Sequence, residues 1–256
     1  LSVSFYKNNF ILKGALLFLS LNMPRTRPTK DIDFLGVSTE NSLQNIKKVF
    51  TAIAEIPQED GVTFDSRSIT AEKIQEEEQY EGVRVFLTGK LGSAKRKVQI
   101  DIGFGDIIVE GPVKTKFPVL IDMPVPVIKA YSKVSALAEK FEAIAHRGIT
   151  TSRMKDFFDI LYLATHSDFE MSTLKKAIAK TFSKRDTPIP NIGLIFEKSF
   201  KENKEKQSQW EAFHRRNRMD LKMSFSEAVE QIGPFVKPLY DETIEGKRNW
   251  NREKWT

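Results

Sequence analysis

Asp31-Ile32-Asp33 and Asp101 are the residues of this 256-residue chain best suited to chemistry. Asp31 to Leu35 alternates as a strand does, with Ile32 and Phe34 expected to face the core, or Phe34 and Leu35 at its end. Alternation puts both carboxylates on one face about 7 Å apart, where they can converge on cations. Two acids left together there repel unless a cation neutralises them. Asp101 lies between Ile100 and Ile102 in an expected central strand, a costly place for a carboxylate that is neither paired nor ligating. Upstream, Gly14 stands where the apolar run Phe10-Ile11-Leu12 gives way to a Leu-rich helix. Backbone N–H groups at such a turn can cradle phosphate. Asp-x-Asp by itself is common on exposed strands. Three acids on neighbouring strands beside a glycine-opened helix instead describe a site for two magnesium ions and a triphosphate. There the metals would activate an attacking hydroxyl and stabilise the departing pyrophosphate.

A second group of charges falls later in the chain. Lys140 and Arg147 are seven apart on one helix face, with Ala143 between them. Arg153, Lys155, Asp156 and Asp159 open the next expected helix. On spacing alone these are surface bridges, Asp156 to Arg153 at i−3 and Lys155 to Asp159 at i+4.

The elements that must position these residues form two halves. Residues 1–125 read as α/β: a helix over Ala15–Met23, a loop forced by Pro24 and Pro28, and an amphipathic helix over Asn41–Ile56 with Leu43, Ile46, Val49, Phe50 and Ile53 at helical spacing. Strands are expected near Phe64–Ile69, Val83–Thr88 and Val98–Ile102, the last with Val98, Ile100 and Ile102 on one face and Gln99 and Asp101 on the other. Glu110–Pro126, with four prolines, is expected to connect the halves. Residues 126–256 read as helical, with helices marked by Leu137/Phe141/Ile144, by Phe157/Ile160/Leu161/Ala164, by Leu174/Ile178/Phe182, and over Trp210–Arg218 and Phe225–Val236. The polar tail Glu245–Thr256 is expected to be loosely held.

Composition narrows the chemistry. With no cysteine, disulfides, thiolate zinc, iron–sulfur clusters and thiol nucleophiles are excluded, and three scattered histidines argue against an all-His metal site. A metal here must be a hard cation on carboxylates. The net charge of +6 is uneven: residues 1–125 carry 16 basic and 16 acidic side chains, residues 126–256 carry 24 and 18. A basic half beside a neutral one fits a polyanionic partner, though a merely soluble basic surface accounts for charge alone. The apolar stretch Ala15–Leu21 lacks a following cleavage site and is far short of the ~20 residues that span a bilayer. It reads as a buried helix of a cytoplasmic protein with no membrane partner. The chain opens on Leu1 without a methionine, which leaves open whether a segment precedes it.

Five ordered blocks carry a resemblance: Leu12-Lys13-Gly14-Ala15, Arg27-Pro28-Thr29-Lys30-Asp31-Ile32-Asp33-Phe34, Gln99-Ile100-Asp101-Ile102-Gly103-Phe104-Gly105-Asp106, Ala138-Glu139-Lys140-Phe141-Glu142-Ala143 and Ser152-Arg153-Met154-Lys155-Asp156-Phe157-Phe158-Asp159. The chain resembles the AbiEii/AbiGii toxin family of nucleotidyltransferases. The resemblance implies an α+β fold, a polymerase β-like nucleotidyltransferase domain with a mixed sheet followed by a helical C-terminal domain. It implies Mg2+, NTP as substrate, and a toxin–antitoxin or phage-defence role with a cognate antitoxin. By matching position, Asp31, Asp33 and Asp101 would bind metal, Lys140 would contact nucleotide phosphate, and Asp156 would complete the site. Lys13, Gly14, Ala15, Thr29, Lys30, Arg153 and Lys155 would serve nucleotide binding. One departure is Ala15, where the family usually has Gly or Ser, so no hydroxyl is offered to a phosphate oxygen. The family's helical segment before the Leu-Lys-Gly block is also not evident.

The leading reading is transfer of a nucleoside monophosphate from NTP to an acceptor hydroxyl, with RNA as the acceptor suggested by the basic half. The resemblance implies tRNA in particular, since some relatives in the family modify tRNA 3′ ends, and a protein hydroxyl is the other acceptor considered. The alternative is a nucleotide- or RNA-binding module without turnover. A nucleotide-sugar glycosyltransferase using Asp-x-Asp leaves Asp101 and the later blocks unexplained.

Overall fold

A computed structural model describes residues 1–21, 28–74, 82–119, 122–219, 223–241, 243–244 and 248–256. The chain divides into two compact units, Leu1–Asp106 with Pro112–Tyr131, and Ile107–Gly111 with Ser132–Thr256.

The first unit is built on a seven-stranded mixed sheet. Its strands are β1 (Phe10–Lys13), β2 (Asp31–Gly36), β3 (Val62–Ile74), β4 (Gly82–Leu91), β5 (Ala94–Phe104), β6 (Val113–Lys116) and β7 (Val127–Ala130), in spatial order β3-β4-β5-β2-β1-β7-β6. β2 runs parallel to β5 and antiparallel to β1, while β3, β4 and β5 form an antiparallel meander. Among the described residues two helices belong to this unit, α1 (Gly14–Ser20) and α2 (Leu43–Ala54). Helix α2 starts where the Ser42 hydroxyl accepts a hydrogen bond from the Asn45 N–H, and it buries Ile46, Val49 and Phe50. The Phe50 ring meets Phe10, which in turn meets Phe34, so this aromatic group lies on one side of the sheet. Val83, Val85, Ile100 and Ile102 are buried as well, and their alternation with half-exposed neighbours leaves the opposite side to polar residues.

The second unit is helical: α3 (Lys133–Arg147), α4 (Met154–His166), α5 (Met171–Lys184), α6 (Lys198–Lys201), α7 (Lys204–Asn217) and α8 (Phe225–Tyr240), with a two-residue pairing of β8 (Phe169–Glu170) and β9 (Asn249–Trp250). Its core is aromatic. Phe157 packs against Phe200 and Phe225, and Trp210 is fully buried with its indole N–H donating to the Met223 carbonyl. A capping box, Ser224 with Glu227, starts α8.

The α+β class and all five expected C-terminal helices are present. Three expectations need correction. The segment Glu110–Pro126 contains β6, which pairs with β7, so both short strands extend the sheet instead of merely linking halves. Ile32 is only half-buried, because β2 passes from a site-facing start to a buried end at Phe34–Gly36. Residues 248–256 of the tail are docked, not loose: the Trp250 indole donates to the Ala164 carbonyl, and Trp255 stacks on Phe235 with its indole donating to the Phe235 carbonyl, while residues 245–247 lie outside the described residues. Average polarity hid two anchors whose apolar bodies each carry one donor to satisfy. The first expected helix is seen over Gly14–Ser20; residues 22–27, including Met23, Pro24 and Arg27, lie outside the described residues. Among the described residues no helix is long and apolar enough to cross a membrane.

Candidate active site

Strand register assembles the site. Asp33 lies directly across from Asp101 in the parallel pair β2–β5, and Asp31 lies across from Gln99. On the far side of β5, Arg84 of β4 is the partner of Asp101, and on the far side of β2, Lys13 of β1 is the partner of Asp33. One row across four adjacent strands therefore reads Arg84, Asp101, Asp33, Lys13. Like charges placed directly opposite destabilise a sheet, yet here two carboxylates face each other at its centre. Asp31, Asp33 and Asp101 each offer an oxygen within 4.8 Å of the others, and all three are half-buried.

Neighbouring groups hold these carboxylates in place. The Arg84 guanidinium donates to both Asp101 oxygens at 2.8 Å, the forked geometry that fixes a carboxylate plane. The Gln99 amide also donates to Asp101, at 3.1 and 3.2 Å. The Thr29 hydroxyl donates to Asp31 at 2.5 Å. Gly14 is required here for two reasons. Its φ is +66°, and a Cβ built on it would fall 1.9 Å from Asp33 Oδ2. The strand-to-helix turn thus presses its backbone against the carboxylate. Lys13 pairs with Asp106 at 2.6 Å and lies over the Tyr131 ring, Lys30 is exposed, and Ala15 is half-exposed.

The three carboxylates suit a hard divalent cation: oxygen donors only, closely spaced, and on one face. Neutralising them would remove the repulsion that their register imposes.

The helical unit holds a different cluster. Lys140 of α3 reaches Asp156 at 3.0 Å and Asp159 at 2.5 Å, both on α4. Arg153 reaches Asp156 at 2.5 Å, the i−3 pair expected from spacing. This is no surface bridge, since Asp156 and Asp159 are buried. Burial pushes the Asp156 carboxyl upward, but the charges of Lys140 and Arg153 and the Arg153 hydrogen bond outweigh it and hold it well below the usual carboxylate range. Lys155 is exposed; Asp159 turns to Lys140 instead.

Arg84 and Asp159 are the residues that sequence reasoning missed in these roles. Arg84 sits between Val83 and Val85, so the cost of a charge in an apolar strand, the signal used for Asp101, would have found it.

A mixed sheet carrying three carboxylates beside a strand–glycine–helix turn defines the class: the protein is a nucleotidyltransferase. Its sequence matches the profile of the family described as nucleotidyl transferase AbiEii toxin, type IV toxin–antitoxin system, over residues 1–231. The chain belongs to that family. Two solved structures are similar in fold: JHP933 from Helicobacter pylori, with a TM-score of 0.51, 12% identity and 93% of this chain and 86% of that chain covered, and a candidate nucleotidyltransferase from H. pylori, with a TM-score of 0.49, 13% identity and 94% and 92% covered. No curated protein matches.

Proposed function

We propose that the protein transfers a nucleoside monophosphate from an NTP to an acceptor hydroxyl, with Mg2+ held by Asp31, Asp33 and Asp101. The observation that carries this reading is the convergence of those three carboxylates on one sheet face. When bound, divalent cations supply the charge that polarises the acceptor and neutralises the leaving pyrophosphate. In the step itself the acceptor oxygen bonds to the α-phosphorus, and the bond to the bridging oxygen breaks with its electron pair leaving on pyrophosphate. The acceptor proton passes to the Asp101 carboxylate, which Arg84 and Gln99 hold in a fixed plane. The Lys13–Gly14–Ala15 turn, with Thr29 and Lys30, lines the nucleotide side of the cluster. Because Ala15 brings no hydroxyl, phosphate contact at this turn falls to backbone N–H groups and to Lys13.

In the helical unit we assign Lys140, Arg153 and Lys155 to neutralising triphosphate charge, with Asp156 orienting Lys140. What supports this is the resemblance of those two blocks and the cost of burying so many charges for structure alone. The acceptor is RNA, tRNA in particular, and the protein acts in the cytoplasm as the toxin partner of a cognate antitoxin. Whether transfer occurs is tested by incubating the protein with each labelled NTP, magnesium and total tRNA. Labelled RNA is expected; a yield no higher than that of Asp33→Ala would sink the enzyme reading.

A further inference from the structure

The sheet face that carries the carboxylates does not end at them. The register of β4 with β5 runs unbroken from Val83 opposite Ile102 to Leu91 opposite Ala94. Every second residue from Asp101 therefore shares its face, and so do the residues directly across: Asp101 with Arg84, Gln99 with Phe86, Lys97 with Thr88, Lys95 with Lys90. β2 pairs only with Gln99–Phe104, so the distal half of this ribbon extends beyond β2. Six residues at roughly 3.3 Å make a path of about 20 Å from Asp101 to Lys95.

That path is cationic with an aromatic step in it. Residues 88–98 hold four basic side chains and no carboxylate, although the half of the chain they belong to is neutral. Lys95, Arg96 and Lys97 are exposed, and Arg96 faces the other side. The Lys97 ammonium rests 3.6 Å from the centre of the half-exposed Phe86 ring. Asp65 of β3 is the acid that reaches this end, paired with Lys90 at 3.2 Å. A row of lysines alone would fit any polyanion. A ring set among them, and next to the carboxylates, fits one whose units alternate a phosphate with a flat π-face.

We propose that this face of the β4–β5 ribbon is the docking track for a single-stranded RNA, whose end it delivers to the carboxylate cluster. As the strand binds, a base takes the place of the Lys97 ammonium on Phe86, and Lys97 and Lys95 turn to phosphates. The role of the track in catalysis rests on the transferase reading above; its affinity for RNA does not.

The test is fluorescence anisotropy of a short labelled single-stranded RNA across a salt series, with neither NTP nor magnesium present, on the full chain, Lys95→Gln/Lys97→Gln and Phe86→Ala. Thermal unfolding of each variant verifies folding. Loss of two phosphate contacts should lower the log–log salt slope by about 1.4 and weaken binding about tenfold at low salt. Loss of the ring should weaken binding about tenfold and leave the slope unchanged. The track is overturned if the full chain binds no RNA, if folded variants bind as it does, or if poly-glutamate competes as well as RNA, which would indicate an acidic polypeptide partner. Label transfer is measured in parallel. RNA capture that the variants lose, with no transfer by any chain, sinks the transferase reading and leaves the track. Transfer with unaltered RNA binding in the variants sinks the track alone.

Discussion

Asp33 and Asp156 are both carboxylates set among other charges, and the two units treat them differently. Around Asp33, strand register brings like charges together on a half-exposed face, with Asp101 directly opposite. Around Asp156, helix packing brings opposite charges together out of water, with Lys140 and Arg153 in contact. The first arrangement loses stability as it stands and would gain it from a bound cation. The second neutralises itself and would be costly to break. Like charge brought together at Asp33 and Asp101 suits a cation site, and compensated burial at Asp156 fixes Lys140 in one orientation.

The strongest way to break this contrast is to delete one acid from each cluster. Asp33→Ala should lower label transfer from NTP by about 10²–10³-fold or more, the scale of losing a principal electrostatic stabiliser, while thermal unfolding stays close to that of the unaltered chain. Asp156→Ala should instead lose about 1.5–3 kcal/mol in urea unfolding, because Arg153 and Lys140 each lose a charged contact while Lys140 keeps Asp159. Equal stability losses in both would erase the distinction. Gly14→Ala puts a methyl group where Asp33 Oδ2 lies. It should reduce transfer about a hundredfold by displacing a reacting group and cost about 1–2 kcal/mol for its left-handed backbone.

A smaller effect is expected at Arg84. Arg84→Gln removes the fork on Asp101 and should lower transfer about ten- to a hundredfold, with a higher magnesium concentration needed for half-maximal rate. Arg84→Lys should restore little, since an ammonium cannot hold both oxygens. An unchanged magnesium dependence would make Arg84 a packing residue only. The least effect concerns pH. The Asp156 carboxyl is depressed from its ordinary value of 3.8, so its pairing contributes stability above about pH 4. That contribution is lost as pH falls below this value toward its folded pKa. Urea unfolding should therefore show a shallower loss of stability below pH 4 in Asp156→Asn than in the unaltered chain.

Much of this was legible in the chain itself. The Asp31–Asp33 alternation and Asp101 between two isoleucines identified the carboxylate cluster, and apolar spacing located every C-terminal helix that carries an expected residue. Less legible were features that depend on how separate elements pack together. Arg84 gains its role only when β4 lies beside β5, Asp159 only when α4 packs on α3, and Trp250 and Trp255 only when the tail finds α4 and α8. The strands β6 and β7 are four residues each, too short for alternation to separate them from a proline-rich loop.

Local pattern was enough to say which residues carry charge against the grain of their surroundings, since the penalty for an acid in an apolar strand is set by its immediate neighbours. Tertiary structure alone decided which of those charges meet. Register across β1, β2, β5 and β4 places two aspartates face to face and extends their side of the sheet into a lysine-lined ribbon. The pairing of β2 with β5 joins residues far apart in the chain, Asp33 with Asp101, and no single stretch of sequence contains it.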